Sequence, residues 1–544
     1  MAYSGLLDQH GNKMHSVHPS REVVRIREEI KYRLRSGQYD AAQTTMQNEQ
    51  HWIPANQLSP DAVNNLSTRK KLRSRSRYES SNSGYLKGIG LSLCQDFVGS
   101  GPTLQITDSR FQSKDPNKLS AAVIVERTWK IRSKKIKLRK KLWRLRHAKL
   151  FDGEGFSFAV NNAQLNHKVT LDQRIFECDQ ISSFDNQTMT KKRNRLEIDG
   201  VRFNATSGEP THYHLLNEHP GETQFFNTKS IVSEGKWIRE KNVIHWFRQD
   251  RGWLRGIPET TYTLPLWALL RRYTLAVVQN AEIAADFTVL LKTMQLPFAT
   301  AFGDTESESN SDKEKWFEGF PVDRGMLTAV PDGYDVQQLK AEQPVTVYDS
   351  FVAALVGEAS RPLLTPRNVA MADSGNHNMS AGLHDTQSYK QSLKQEQLDC
   401  EDEVLDKDLA QWWFEAIRTP DYFPDDVLDI DNKRKLDVSV EQIVSRFSDL
   451  QDDPPEHVYR WDEIPEHTDP TKVANAINIL HMGGHITDVD IQEGRFNRSV
   501  EEHHENRRRE LSRGQELRKE FPEQFEDLNP EPASTSDNDD DEGS

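Results

Sequence analysis

The chain has 544 residues, room for about three or four domains, and is lean in apolar residues at 35% with 28% charged. Its 70 Lys and Arg against 84 Asp and Glu leave a formal charge of −14, which argues against tight non-specific binding to DNA phosphates. Cys94, Cys178 and Cys400 lie far apart with no C-x-x-C, so neither a disulfide framework nor a zinc site is indicated. With no apolar run of about 18 residues and no signal-peptide pattern, a reduced, cytosolic, soluble chain is expected.

Residues 1–70 are polar and read as a peripheral arm. The basic run Arg69–Glu79, RKKLRSRSRYE, has no interleaved aromatics and reads as a solvated helix face or a contact to an acidic neighbour ahead of a nucleic-acid contact. From Ser80 the apolar spacing predicts a helix ending at Val98, stopped by Gly99 and Gly101 before a strand. Ala121–Leu150 is the densest basic stretch, with Trp129, Ile136, Leu142 and Leu145 as an apolar stripe. Its Lys134, Lys137, Arg139 and Lys141 could meet nucleic acid or an acidic neighbouring subunit. Alternation over Val169–Ile198 and Val201–Leu216 predicts antiparallel strands, with a turn at Ser207-Gly208. His212 and His214 could ligate a metal, but lack a third ligand and read as an exposed strand face.

The longest helical pattern follows. Leu266, Leu269, Leu270, Tyr273, Val277, Ala284, Phe287 and Leu291 recur at helical spacing, predicting a helix over Pro265–Lys292, roughly 40 Å long. Arg271, Arg272, Gln279, Asn280, Glu282 and Asp286 keep it out of a membrane. Periodicity alone fits a long core helix as well as a more specialised one. Phe302–Lys315 is acidic and Ser-rich and reads as a mobile loop, and Trp316–Leu339 as short strands with a turn at Asp332-Gly333. A second helix over Val345–Ser360 would return along the first; a loop over Thr365–Asp385 leads to a third, Thr386–Ile417. Residues 420–452 are weakly helical, and the acidic tail after Pro530 is expected to be disordered.

One sequence of motifs resembles the lambda-type portal proteins of tailed bacteriophages: His245-Trp246-Phe247, then Arg255-Gly256-Ile257-Pro258, then a long helix with Arg272-Tyr273 and Ala281-Glu282. Val98-Gly99-Ser100-Gly101, the Asp152–Val160 stretch and Thr365–Asp385 are similar to further family blocks in the same order, from about residue 70 to 515. The resemblance implies a helix-rich α+β portal fold with wing, stem, clip and crown domains, forming a ring oligomer around a central channel. It implies an arm at 1–70, wing at 71–258, first stem helix at 259–295, clip at 296–343 and second stem helix at 344–364. A tunnel loop at 365–385, a wing helix at 386–419, a crown at 420–515 and a tail at 516–544 follow.

The same resemblance implies a channel at one capsid vertex through which terminase packages DNA and DNA is ejected. The implied partners are further copies of the chain, usually twelve in this family, the terminase large subunit, major capsid and scaffolding proteins, head-tail connectors and double-stranded DNA, with no membrane. The location would be the virion, and the host cytoplasm during assembly. It points to Asp373, Ser374, Asn378 and Ser380 for the tunnel loop and to Arg271, Arg272, Gln279, Glu282 and Asp286 for the stem. Arg255, Gly256 and Pro258 would form the wing-to-stem turn. Ala381 and Leu383 depart from the family's loop pattern. No phosphate-binding G-x-x-x-x-G-K-[ST], H-E-x-x-H or G-x-S-x-G occurs, so no catalytic, cofactor or metal residue is assigned and no enzyme is expected. The alternative is a cytosolic nucleic-acid-binding protein using the basic helix 127–149.

Overall fold

The computed structural model describes residues 25, 57–113, 115, 118–182, 190–192, 195–221, 235–286, 290–293, 334–337, 345–373, 375, 379–424, 436–462 and 470–482. The chain divides into two units, Met1–Val63 and Asn64–Ser544. In the first, the described structure amounts to a short helical turn, Pro60–Val63.

The second unit is α+β. It opens with α1 (Leu66–Asn82), whose Asn65 side chain caps the Thr68 amide, and α2 (Gly84–Val98), capped by Ser83. These satisfy backbone donors that a helix start would otherwise leave bare. Strand β1 (Thr103–Ile106) follows, as the glycine stop predicts. The basic stretch is two helices, α3 (Ala121–Lys135) and α4 (Leu138–Asp152), separated by Lys137 in the left-handed region at φ 56°. Trp129, Ile136, Leu142 and Leu145 are all buried, as the stripe predicts.

Strands β2 (Glu154–Asn161), β3 (Leu171–Phe176) and β9 (Val243–Phe247) form one antiparallel sheet in the order β3-β2-β9. Along β9 the period of two divides the side chains: Ile244 and Trp246 enter the main core, while Val243 joins Phe156 and Phe158 in a second. That sheet is therefore a wall buried on both faces. The second core is closed by a five-stranded antiparallel sheet, β4 (Thr190–Lys192), β5 (Arg195–Ile198), β6 (Val201–Asn204), β7 (Pro210–Leu216) and β8 (Gly235–Arg239). The Ser207-Gly208 turn is present, with the Gly208 amide donating to Asn204 at 2.8 Å. His214, expected on an exposed face, is buried: its Nδ1 lies 2.7 Å from the Ser182 carbonyl and its ring packs on Trp237. The Ser182 carbonyl and the Trp237 ring are the surroundings that bury it.

Helix α5 spans Leu264–Asp286. The periodic pattern carries it to Lys292, but Leu290–Thr293 is strand β10, paired antiparallel with β11 (Tyr334–Gln337). Four residues of apolar spacing cannot distinguish a last helical turn from a short strand. Leu269, expected on the buried face of α5, is 55% exposed. Helix α6 (Val345–Ser360) returns beside α5, followed by α7 (Arg367–Met371). Helix α8 (Met379–Cys400) begins before the expected Thr386, since Gly382 is accepted within it and the Thr386 hydroxyl donates to the Gly382 carbonyl at 2.7 Å. A wide π-turn at Glu401–Leu405 joins it to α9 (Asp406–Ala416). Then come α10 (Val440–Arg446), β12 (His457–Arg460) and α11 (Pro470–Met482). Strand β12 pairs with β1, and Trp461 packs at a tilt against Phe97 in the main core, so 436–462 is fastened to the body begun at Leu66.

Candidate functional site

The segment Trp253–Thr263 leads from the two-faced sheet into α5, and a buried charge cluster fixes it. Arg255 is fully buried. Its Nε donates to Glu154 Oε2 at 2.7 Å and its Nη2 to Oε1 at 3.1 Å, while Nη1 reaches the Ile181 and Asp199 carbonyls. Glu154 also accepts from Arg73 at 2.9 Å and lies 3.0 Å from His245 Nε2. Asp199 accepts from Arg69 and Ser182 at 2.8 and 3.1 Å, and Asp179 from Arg73 and Arg77 at 2.8 and 2.7 Å. Thus the Arg69–Glu79 run, expected at the surface, sends Arg69 and Arg73 inward as permanent ion-pair partners.

Burial would raise the Glu154 carboxyl, but Arg255, the His245 hydrogen bond and Arg73 outweigh it and hold it well below the usual carboxylate range. Burial likewise pushes Asp199 up, and Arg255 and Arg69 bring it down. Burial lowers His245 below its ordinary value, against the pull of Glu154. Each of these carboxylates holds a guanidinium, so the cluster is suited to fastening rather than proton transfer.

The backbone makes the junction tighter. A Cβ at Gly256 would overlap the Gly153 carbonyl oxygen, and one at Gly153, where φ is 90°, would overlap Ile257. Two glycines back to back therefore let the 255–258 turn lie against the start of β2. Pro258, at φ −51°, starts the 3-10 turn Glu259–Thr263. Glu259 accepts from the buried Arg146 at 3.0 Å. Arg146 and Lys149 also pair with Glu396 at 3.2 and 2.9 Å, and Lys149 with Asp399 at 2.6 Å, beneath Trp246. Farther along, Arg132 grips Asp408 through two bonds of 2.6 and 2.8 Å.

Above this base α5 and α6 lie side by side. Tyr273 stacks on Tyr348 with centroids 5.8 Å apart and meets Phe351 edge-on at 5.0 Å. Trp267, Leu270, Val352 and Val356 are buried together in the main core, and Glu259–Thr263 touches Arg361–Leu363, so the pair is antiparallel.

The expected site residues divide accordingly. Arg255, Gly256 and Pro258 lie in the segment that leads into the 3-10 turn Glu259–Thr263. Arg271 bends back to Glu79 at 3.0 Å, Arg272, Gln279 and Glu282 are exposed, and Asp286 ends α5, its side chain outside the described residues. Asp373 and Ser380 are exposed beside α7 and α8; Ser374 and Asn378 lie outside the described residues. Lys141 is paired with Asp172, whereas Lys134, Lys137 and Arg139 are exposed.

Glu154, Asp199 and Asp408 escape a reading of the sequence. Only Asp199 carries a local signal, since Asp199-Gly200, both at positive φ, is the two-residue turn joining β5 to β6. Among the described residues one trio, Glu177, Asp179 and His219, gathers metal-type ligand atoms within 4.8 Å. Arg73 and Arg77 already neutralise its carboxylates.

A family model described as phage portal protein, lambda family, matches residues 45–397, about two thirds of the chain. No curated protein matches. Among solved structures, the neck of a native gene transfer agent particle computed with C12 symmetry is 10% identical, covering 77% of this chain and 92% of that one, at a TM-score of 0.38. An HK97 family phage portal protein from Corynebacterium diphtheriae is 10% identical, covering 61% and 92%, at 0.29. The family match carries the assignment; structural likenesses at these scores add nothing to it.

Proposed function

The chain belongs to the lambda family of phage portal proteins, and from that premise we propose that about twelve copies join head to tail into a closed ring around a DNA channel. The observation that supports this best is the α5–α6 pair, fastened at its base and bare along its flank. Leu275 and Val278 are 55% and 51% exposed there, an apolar surface that a neighbouring copy would cover. In this reading Arg272, Gln279 and Glu282 lie toward the bore or the adjacent subunit, and the segment from Asp373 to Ser380 narrows the channel. The ring occupies one capsid vertex, passes double-stranded DNA without reading its sequence, and meets terminase, capsid and scaffolding proteins and head-tail connectors. Its role is structural and involves no catalysis. The nucleic-acid-binder alternative loses ground because Arg132, Lys141, Arg146 and Lys149 of its proposed helix are engaged by internal carboxylates. Native mass spectrometry with negative-stain microscopy tests the proposal. Rings with a central opening are expected; a monomer persisting at high concentration would overturn it.

A further inference from the structure

The fold divides the cations of Ala121–Leu150 into two populations. Those that turn inward have partners. The others gather where α3 ends and α4 begins: Lys134, Lys137, Arg139, Lys140 and Arg144 are all exposed, and none forms an ion pair with a described carboxylate. The left-handed Lys137 turns the chain so that both helix ends present charge on one knob. Helix dipoles account for only part of it. A cation suits the last turn of α3, where Lys134 lies, but Lys137, Arg139 and Lys140 stand at the start of α4, where the dipole opposes them and no acidic residue compensates. The helix dipoles thus do not favour the charges at the start of α4, and this concentration of like charge calls for an anion from elsewhere.

The same chain carries a complement. Glu520–Ser544 contains ten carboxylates and no Lys or Arg, with Asp537, Asp539, Asp540, Asp541 and Glu542 nearly contiguous. We propose that this acidic segment docks on the Lys134–Arg144 knob and competes there with duplex DNA. The tail supplies reach of its own, since the roughly 20 residues from 516 to Asp537 could span about 70 Å at about 3.3 Å per residue. The inference is independent of the channel.

Zero-length carbodiimide crosslinking of the full-length protein tests it directly. Crosslinks from Lys134, Lys137 or Lys140 to Asp537–Glu542 are expected, and crosslinks of that segment solely to lysines elsewhere would overturn the proposal. A second measurement uses a full-length variant neutralised at Asp537, Asp539, Asp540, Asp541 and Glu542 to Asn or Gln. Its affinity for a random-sequence duplex should rise about tenfold at moderate salt, with a steeper salt dependence. Adding Lys137→Gln, Arg139→Gln and Lys140→Gln should abolish that gain. Equal DNA affinity before and after neutralisation, or a gain that survives the knob substitutions, would overturn it.

Discussion

At its foot α5 is enclosed: Trp267 and Leu270 are buried, Glu259 just before it receives Arg146, and Arg271 reaches Glu79. About one to two turns beyond Leu270, Leu275 and Val278 stand more than half exposed, with Gln279 and Glu282 close by. One helix thus serves two purposes. The subunit's own interactions set the direction in which α5 leaves the body, while beyond Tyr273 the shaft presents an apolar flank that a neighbouring copy would cover in the proposed ring. Buried ion pairs are costly to break and often dispensable for stability if replaced whole. Their value here lies in defining a single geometry for the junction.

Four measurements would break or sharpen this contrast. The largest effect is expected at the foot. Glu154→Ala leaves Arg255, Arg73 and His245 without their shared carboxylate, and urea unfolding should show a loss of about 3–5 kcal/mol. Gly256→Ala forces a methyl into the Gly153 carbonyl and should cost about 1–3 kcal/mol in the same assay.

A smaller change follows pH. Burial holds His245 below its ordinary value and lowers His147 to about 4. The unfolded chain therefore binds protons below about pH 6.5 that the native one does not, so stability present above that pH declines as pH falls toward 4. His457 works against this trend, because Asp406 outweighs burial and raises it. The urea midpoint should drop between pH 7 and 5, and His245→Gln should flatten the decline. On the shaft, Val278→Asp should alter subunit stability by no more than about 0.5 kcal/mol. It should nevertheless reduce the fraction of rings seen by native mass spectrometry; a large loss of subunit stability would show that foot and shaft are not separate.

Much of this framework is legible in the sequence because its signals are local. Helix spacing and two glycines place α2 and β1, alternation with Ser207-Gly208 places β6 and β7, and the two apolar patterns at 264 and 345 prove to lie together. The fastening is not legible. Arg69 and Arg73 look like surface charge because their partners, Asp199, Glu154 and Asp179, are about 80 to 130 residues away and no periodicity announces them. Arg132 and Asp408 are farther apart still. The end of α5 is misread for a different reason: Leu290 and Leu291 satisfy a helical repeat, but the pairing with Tyr334–Gln337 decides their conformation.

The wide turn at Glu401–Leu405 has one more consequence. A turn that takes up an additional residue shifts by one the spacing at which side chains before and after it share a face. Upstream, Glu396 and Asp399 face Arg146, Lys149 and Trp246; downstream, Asp406 and Asp408 face His457 and Arg132. The turn thus works as a vernier that lets one rod keep two angular settings. The length of this turn, and not only the identity of its side chains, therefore bears on which carboxylates meet which partners.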